Sequence, residues 1–423
     1  MDSRTKALCD FLNAAHSVYH AQAYLAETLK NAGYTRLYEQ DEWALAPGGK
    51  YFLTRGGSAL VAFRVPQGSP KGFLMSASHS DRPTFKVKEN FELAAAYTRM
   101  AVERYGGMLI SPWLDRPLSV AGRETEAGVE TKLLDIDRDL LLIPNVAIHM
   151  NRQANEGYKW NPAVDTLPLI GGAGAAGKLP ALLEKEAGGK ILGHDLYLYI
   201  RQKASVWGVD EEYISSAALD DLECAWGCTQ GFLKGGDSAS IPVLCVFDSE
   251  EVGSVSPQGA GSSLLEDTLG RICDGLKLNR GRMLAQSFLV SADNAHAIHP
   301  NHPEYADPGN APVMGGGLVI KYNANLSYCT DSVSAAVFRK TCGRAGVKVQ
   351  TYHNRADLPG GSTLGRISLA HVSVPTVDIG LAQLAMHSCY ETAAVSDAID
   401  LETAMAVYYG STLEATESGF SIL

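Results

Sequence analysis

The chain has 423 residues, more than one simple core supports, so two domains or one domain with a large insertion are expected. Hydrophobic residues make up 46% and charged residues 20%, which excludes a disordered chain. The formal charge of −11 repels phosphate backbones and argues against a nucleic-acid partner, although a local field can still favour a small anionic substrate.

Residues 1–30 alternate apolar and polar groups and carry Lys6, Glu27 and Lys30, unlike a secretion signal. Residues 4–32 read as one amphipathic helix, with Leu8, Phe11, Leu12, Ala15, Val18, Ala21, Leu25 and Leu29 at three- and four-residue intervals. Ser3 is the expected cap at its start and Gly33 at its end. Two apolar runs, 50–54 and 58–65, flank Gly56-Gly57 and predict a hairpin.

Four short apolar runs then share one grammar. Residues 72–78 end in His79-Ser80-Asp81, and 242–248 end in Ser249-Glu250-Glu251. Residues 287–291 end in Ala292-Asp293, and 374–380 precede a segment holding His387. Each reads as a buried strand delivering His or carboxylate groups past its C-terminal end, the edge where open α/β sheets bind ligands. Residues 86–199 differ. They carry turn-like charge clusters, Tyr105-Gly106-Gly107, alternating β patterns at 132–136, 140–143 and 196–200, and a Gly/Ala-rich tract at 171–177. The expected organisation is an α/β main domain of residues 1–85 and 200–423, interrupted by an inserted β-rich domain of residues 86–199.

No apolar run is long enough to span a bilayer, so no membrane partner is expected. Cys9, Cys224, Cys228, Cys245, Cys273, Cys329, Cys342 and Cys389 are irregularly spaced without a CxxC pair. They read as buried free thiols of a reducing, cytoplasmic compartment, even though Cys224 and Cys228 lie four apart on an expected helix.

Taken singly, each polar group has a bland alternative. His79-Ser80-Asp81 resembles many polar loops, Asp220-Asp221 suits a helix N-terminus, and a lone His387 suits a satisfied core histidine. His302, beside Pro303, reads as surface. Glu250-Glu251 is more informative, because adjacent carboxylates at a strand mouth repel unless one binds a cation and the other takes a proton. Together these segments offer two His and three carboxylates as ligands, with one Glu to spare. That inventory suits two divalent ions, Zn²⁺, Co²⁺ or Mn²⁺, and excludes a structural thiolate site.

The ordered blocks carry a resemblance. They are ASHSDRPTFKVK at 77–88, WLDRPLSVAGR at 113–123, IPNVAIHMNR at 143–152, LDDL at 219–222 and FDSEEVGSVSPQGAG at 247–261. SADNAHAIHPNHP at 291–303, GGLVIKYNANLSYCTD at 316–331, GSTLG at 361–365 and VDIGLAQLAMHSCYE at 377–391 follow. Over almost its whole length the chain resembles the aspartyl aminopeptidase family of di-zinc metallopeptidases, which includes vacuolar aminopeptidases. The resemblance implies a di-zinc exopeptidase fold, a mixed central sheet with helices on both faces, and a β-rich insertion used for oligomerisation. It implies His79 and Asp293 on one zinc ion, Glu251 and His387 on the other, and Asp220 bridging both. Glu250 would be the general base, with Asp81 supporting the metal shell from behind. His296 would contact substrate, and Lys321 and Tyr328 would line its pocket. His149 would reach into a neighbouring subunit's site, within a dodecamer built from dimers.

The sequence departs from the family pattern at Ser249, where the family usually has His, at Asp221, where it has Asn, and at Ser216-Ala217-Ala218 in place of Ser-Pro-Arg. The expected activity is removal of N-terminal residues from peptides, acidic ones if Lys321 reads the side chain. The competing expectations are a preference for hydrophobic N-termini, a related deacylase or carboxypeptidase, and a non-catalytic assembly protein. Loss of metal ligands would mark the last, and all five are present.

Overall fold

The computed structural model describes residues 1–423 except Ala127 and Pro359. Its centre is a nine-stranded mixed sheet in the order Thr35–Arg36, Lys50–Arg55, Ala59–Arg64, Ile241–Phe247, Phe73–His79, Phe288–Ala292, Thr376–Gly380, Leu318–Tyr322, Val349–His353. The four apolar runs picked out above are its four adjacent middle strands, and all are mutually parallel. Parallel strands are covered on both faces, which is why these segments read as continuous apolar runs. Side chains alternate between faces along each strand. Leu74, Leu244 and Val246 face one core, whereas Phe73, Met75, Val243 and Cys245 face the other. Helices Leu219–Lys234, Ser332–Ala345 and Val395–Gly410 cover the first face, and helix Leu264–Gly275 covers the second. The α/β fold with helices on both faces is therefore as expected.

The Lys50–Arg55 and Ala59–Arg64 strands form the expected antiparallel hairpin. The N-terminal helix does not run through. It is two helices, Ser3–Ala14 and Val18–Asn31. Asp2 rather than Ser3 caps the first, accepting from the backbone N–H groups of Arg4 and Thr5. Ser17 caps the second by accepting from His20, and this second cap starts a new helix without disturbing the apolar period. Gly33, at φ 81°, turns the chain after the second helix.

Residues between Thr84 and Ile200 supply a separate antiparallel sheet of six strands: Thr131–Asp135, Leu118–Glu126, Ile191–Ile200, Thr84–Ala94, Tyr97–Tyr105 and Leu169–Gly172. It has its own core, including Phe85, Val120 and Leu196, with Leu179 and Leu183 of helix Lys178–Ala187 packed against it. Within 140–143, Leu141, Leu142 and Ile143 form isolated bridges rather than the expected strand. A third sheet has no counterpart in the sequence reading. Its strands, Ser205–Trp207, Tyr213–Ser216, Glu391–Ala394, Ala382–Leu384 and Ala295–His296, are too short for an alternating pattern to register. It frames the segments that carry Asp220 and His387. Seven of the eight cysteines are buried, Cys329 is half-buried, and all are free. No helix of the described residues is long and apolar enough to cross a membrane.

Candidate metal centre

The parallel strands end on one edge of the central sheet. His79 is the last residue of its strand, and Asp293 directly follows the neighbouring strand, Phe288–Ala292. Glu250 and Glu251 lie on a single turn two residues beyond Ile241–Phe247. Asp220 sits at the start of the Leu219–Lys234 helix, with non-helical backbone. His387 lies in the loop between Ala382–Leu384 and Glu391–Ala394, at φ 66°.

These groups converge. His79 Nε2 lies 3.5 Å from Asp220 Oδ1 and 3.8 Å from Asp293 Oδ1. On the other side, His387 Nε2 lies 3.4 Å from Asp220 Oδ2 and 3.4 Å from Glu251 Oε2. Asp220 thus belongs to two clusters of potential ligands, one with His79 and Asp293 and one with Glu251 and His387. His79 Nδ1 lies 3.2 Å from the Asp81 carbonyl, which favours a proton there and leaves Nε2 facing the cluster.

Electrostatics make the cluster unfavourable on its own. Burial, then the neighbouring Asp220, pushes the Glu251 carboxyl well above the carboxylate range. Burial also pushes Glu250 up to about 8. Burial opposes charge on Asp220 as well, but the His387 and His79 rings outweigh it and hold that carboxyl below its usual range. Asp220 Oδ1 and Glu251 Oε1 are buried without a hydrogen-bond partner. Buried acceptors left unpaired beside like charges are costly, and a divalent cation among imidazole and carboxylate ligands relieves both problems. The residues present therefore fit a metal.

Buried carboxylates behind the cluster hold its backbone. Asp81 Oδ1 accepts the Glu250 N–H at 3.1 Å, and Oδ2 accepts that of Glu251 at 3.2 Å. Glu391 accepts the Asp220 N–H at 3.0 Å and the His387 N–H at 2.7 Å. Asp221 accepts the His79 N–H at 3.0 Å. The extra acid at 221 is thus aimed at a ligand's backbone, and burial raises its pKa well above the usual range, toward the neutral form. Ser249, at φ 63°, accepts a hydrogen bond from the Ser256 hydroxyl. Neither the Glu391 nor the Asp221 contact was legible in the sequence, since each depends on which amide the fold brings to the carboxylate.

A cavity of about 320 Å³ opens beside the cluster, lined by Asp220, Glu250, Asp293, His387, His296, Lys321 and Tyr328 among others. Lys321 is buried rather than a surface lysine. Its Nζ donates to the carbonyls of Asp293 and Asn294 at 2.7 and 3.0 Å and lies 3.6 Å from Asp293 Oδ2. Burial opposes its charge, but Asp293, Tyr328 and Asp378 outweigh burial and hold the ammonium protonated. Tyr352, Thr363 and Met386 also line the cavity; Thr363 and Met386 stand inside the blocks at 361–365 and 377–391, whereas Tyr352 lies outside every block. His296 is exposed at the rim. His149 is exposed and lies outside the cavity of its own chain. His302 is an exposed residue bonded to Glu304, as expected of a surface group. A larger groove of about 700 Å³ opens near Arg64, Gln67 and Pro242, at the N-terminal ends of the parallel strands, but Asp237 is its only acid and it holds no histidine.

A family profile described as aminopeptidase I zinc metalloprotease (M18) matches residues 11–409. The chain belongs to the M18 family of zinc aminopeptidases. The resemblance read from the ordered blocks is thereby borne out, and the enzyme is a metallo-aminopeptidase, a hydrolase of peptide bonds. A probable M18 family aminopeptidase 2 of Clostridium acetobutylicum is 41% identical over 423 residues, covering 96% of this chain and 98% of that protein. Among solved structures, Ape4 in a complex with Nbr1 matches with a TM-score of 0.92 and 34% identity, over 96% of this chain and 85% of that one. The mApe1 dodecamer of S. cerevisiae matches with a TM-score of 0.84 and 25% identity, over 96% of each chain.

Proposed function

We propose that this M18 aminopeptidase works through two metal ions that share Asp220, with Glu250 as general base, and that it removes acidic residues from peptide N-termini. One observation carries the reading: Asp220 is common to two ligand clusters, each completed by one His and one further carboxylate, while His79 also stands with Glu250 and Glu251 in a third. His79 and Asp293 would hold one ion, and Glu251 and His387 the other. The donor set suits zinc, with cobalt or manganese as alternatives. When bound, such ions supply Lewis acidity, drawing electron density from a water molecule and from the scissile carbonyl.

The protein's own part is proton transfer and positioning. Glu250 takes a proton from the water as its oxygen bonds to the carbonyl carbon. It returns that proton to the amine nitrogen as the carbon–nitrogen bond breaks. Asp81 sets the base by holding the Glu250 and Glu251 amides. A buried carboxylate with raised proton affinity retains the proton between the two steps. Lys321 would draw an Asp or Glu side chain, and Tyr328 and His296 would flank it.

A second reading has its own support. Two of the Lys321 donor positions are committed to carbonyls, and Tyr328, Tyr352 and Met386 give the cavity apolar walls, which suits a hydrophobic N-terminal residue. By likeness to the mApe1 dodecamer, assembly into a dodecamer from dimers is proposed, through the sheet between Thr84 and Ile200 and with His149 reaching a neighbouring site. Eight free cysteines support a reducing, cytoplasmic setting. The test of the mechanism is Glu250→Gln. Activity should fall by roughly 10²–10⁴-fold while bound metal stays unchanged. Retained activity would sink the assignment of the base.

A further inference from the structure

The segment linking Tyr97–Tyr105 to Leu118–Glu126 belongs to the second sheet in sequence, yet it lies across one side of the metal cluster. The Tyr105 hydroxyl donates to Asp81 Oδ2 at 2.8 Å. That same oxygen accepts the Glu251 backbone N–H. Gly106 has φ 76°, and a Cβ placed there would lie 3.1 Å from Glu251 Cβ and 3.3 Å from its carbonyl oxygen. At Gly107 a Cβ would stand 3.9 Å from His387 Nδ1. The Leu109 N–H then bonds to the His387 carbonyl at 3.0 Å, and the Cys389 thiol bonds to the Pro112 carbonyl at 3.0 Å. Four residues of this segment, Tyr105, Gly106, Gly107 and Leu109, therefore meet Glu251 and His387 and, through Asp81, Glu250.

None of these contacts reaches Asp293, and His79 meets the other Asp81 oxygen, its Nδ1 lying 3.3 Å from Oδ1, whereas the Tyr105 hydroxyl and the Glu251 N–H share Oδ2. The His79 amide is held by Asp221 and the Asp293 carbonyl by Lys321, both within the main sheet and its helices. We infer that residues 105–109 are a positioning strap through which the inserted sheet sets the Glu251–His387 half of the centre and the orientation of Glu250. Tyr105 acts through Asp81, so it is a positioning residue. Gly106 is favoured because a Cβ there would crowd Glu251, in a backbone region that favours glycine. The geometry explains why Tyr105-Gly106-Gly107 stands as a turn inside a segment otherwise devoted to the second sheet.

The inference rests on the two-metal reading, and its test separates the two. Wild-type protein, Tyr105→Phe and Gly106→Ala are equilibrated with zinc against graded competing chelator, and bound zinc per chain is measured alongside kcat and KM. Wild type should hold two ions that differ in affinity. Tyr105→Phe should weaken the looser ion by about 10-fold and leave the tighter one unchanged, because removing a group that orients a ligand costs that much. Its kcat should fall by about 10-fold with KM within about twofold, and the selective loss of one ion separates this from a general loss of folding, which would lower the occupancy of both ions equally. Gly106→Ala should lose more. If it does not fold, Tyr105→Phe carries the test alone. Two ions in the wild type with both unmoved in Tyr105→Phe, or both weakened equally, would overturn the strap. A single ion in the wild type would overturn the two-metal reading, and the strap with it.

Discussion

His79 and Asp293 stand at the ends of neighbouring parallel strands, whereas Glu251 and His387 stand on turns. The first pair inherits its spacing from strand register, since Phe288–Ala292 pairs directly with Phe73–His79. Sheet hydrogen bonds and two buried cores fix that register before any ligand contact is made. The second pair has no such frame. Its geometry comes from Asp81, Glu391 and the 105–109 segment, all reaching in from other parts of the chain. One half of the centre is built into the fold. The other is assembled by carboxylates that hold backbone amides, and it should be the half that mutation or chelation disturbs first.

The sharpest way to break this contrast is Glu391→Ala. It leaves the Asp220 and His387 N–H groups buried without an acceptor, each at a cost of about 1–3 kcal/mol. Activity should fall by about 100-fold, with the looser metal ion lost first in chelator titration. Equal loss of both ions would show that the two halves are not held separately. A smaller effect is expected at the sheet-end half from Lys321→Met, which keeps the bulk and removes the charge. Hydrolysis of Asp- and Glu-terminated amides relative to Leu should drop by about 10-fold or more, the value of one hydrogen bond to a charged group. An unchanged ratio would discard the pocket role of Lys321 and favour a hydrophobic N-terminal residue.

Much of the sheet-end half was legible in the sequence. Buried parallel strands write themselves as apolar runs, and the proposed ligands His79 and Asp293 stand at the ends of such runs, with Glu251 of the other half a few residues beyond one. His387 was harder to place. It lies between strands of three and four residues, and such strands leave no periodic trace. Its role came only through the ordered blocks shared with the family. The holding contacts were not legible at all. Glu391 stands inside a quoted block and Tyr105 inside a noted turn, but a carboxylate accepting a backbone N–H from 171 residues away has no local signature. The broken N-terminal helix shows the same limit. The apolar period runs on across Ala15–Ser17, while the cap that splits it is a single hydroxyl.

The central claim is that two ions share Asp220. Anomalous scattering at the zinc edge from crystals of zinc-loaded protein tests it most directly. Two peaks are predicted, one bounded by His79 and Asp293 and the other by Glu251 and His387, with Asp220 between them. A single peak, or two peaks that do not share Asp220, would contradict the account.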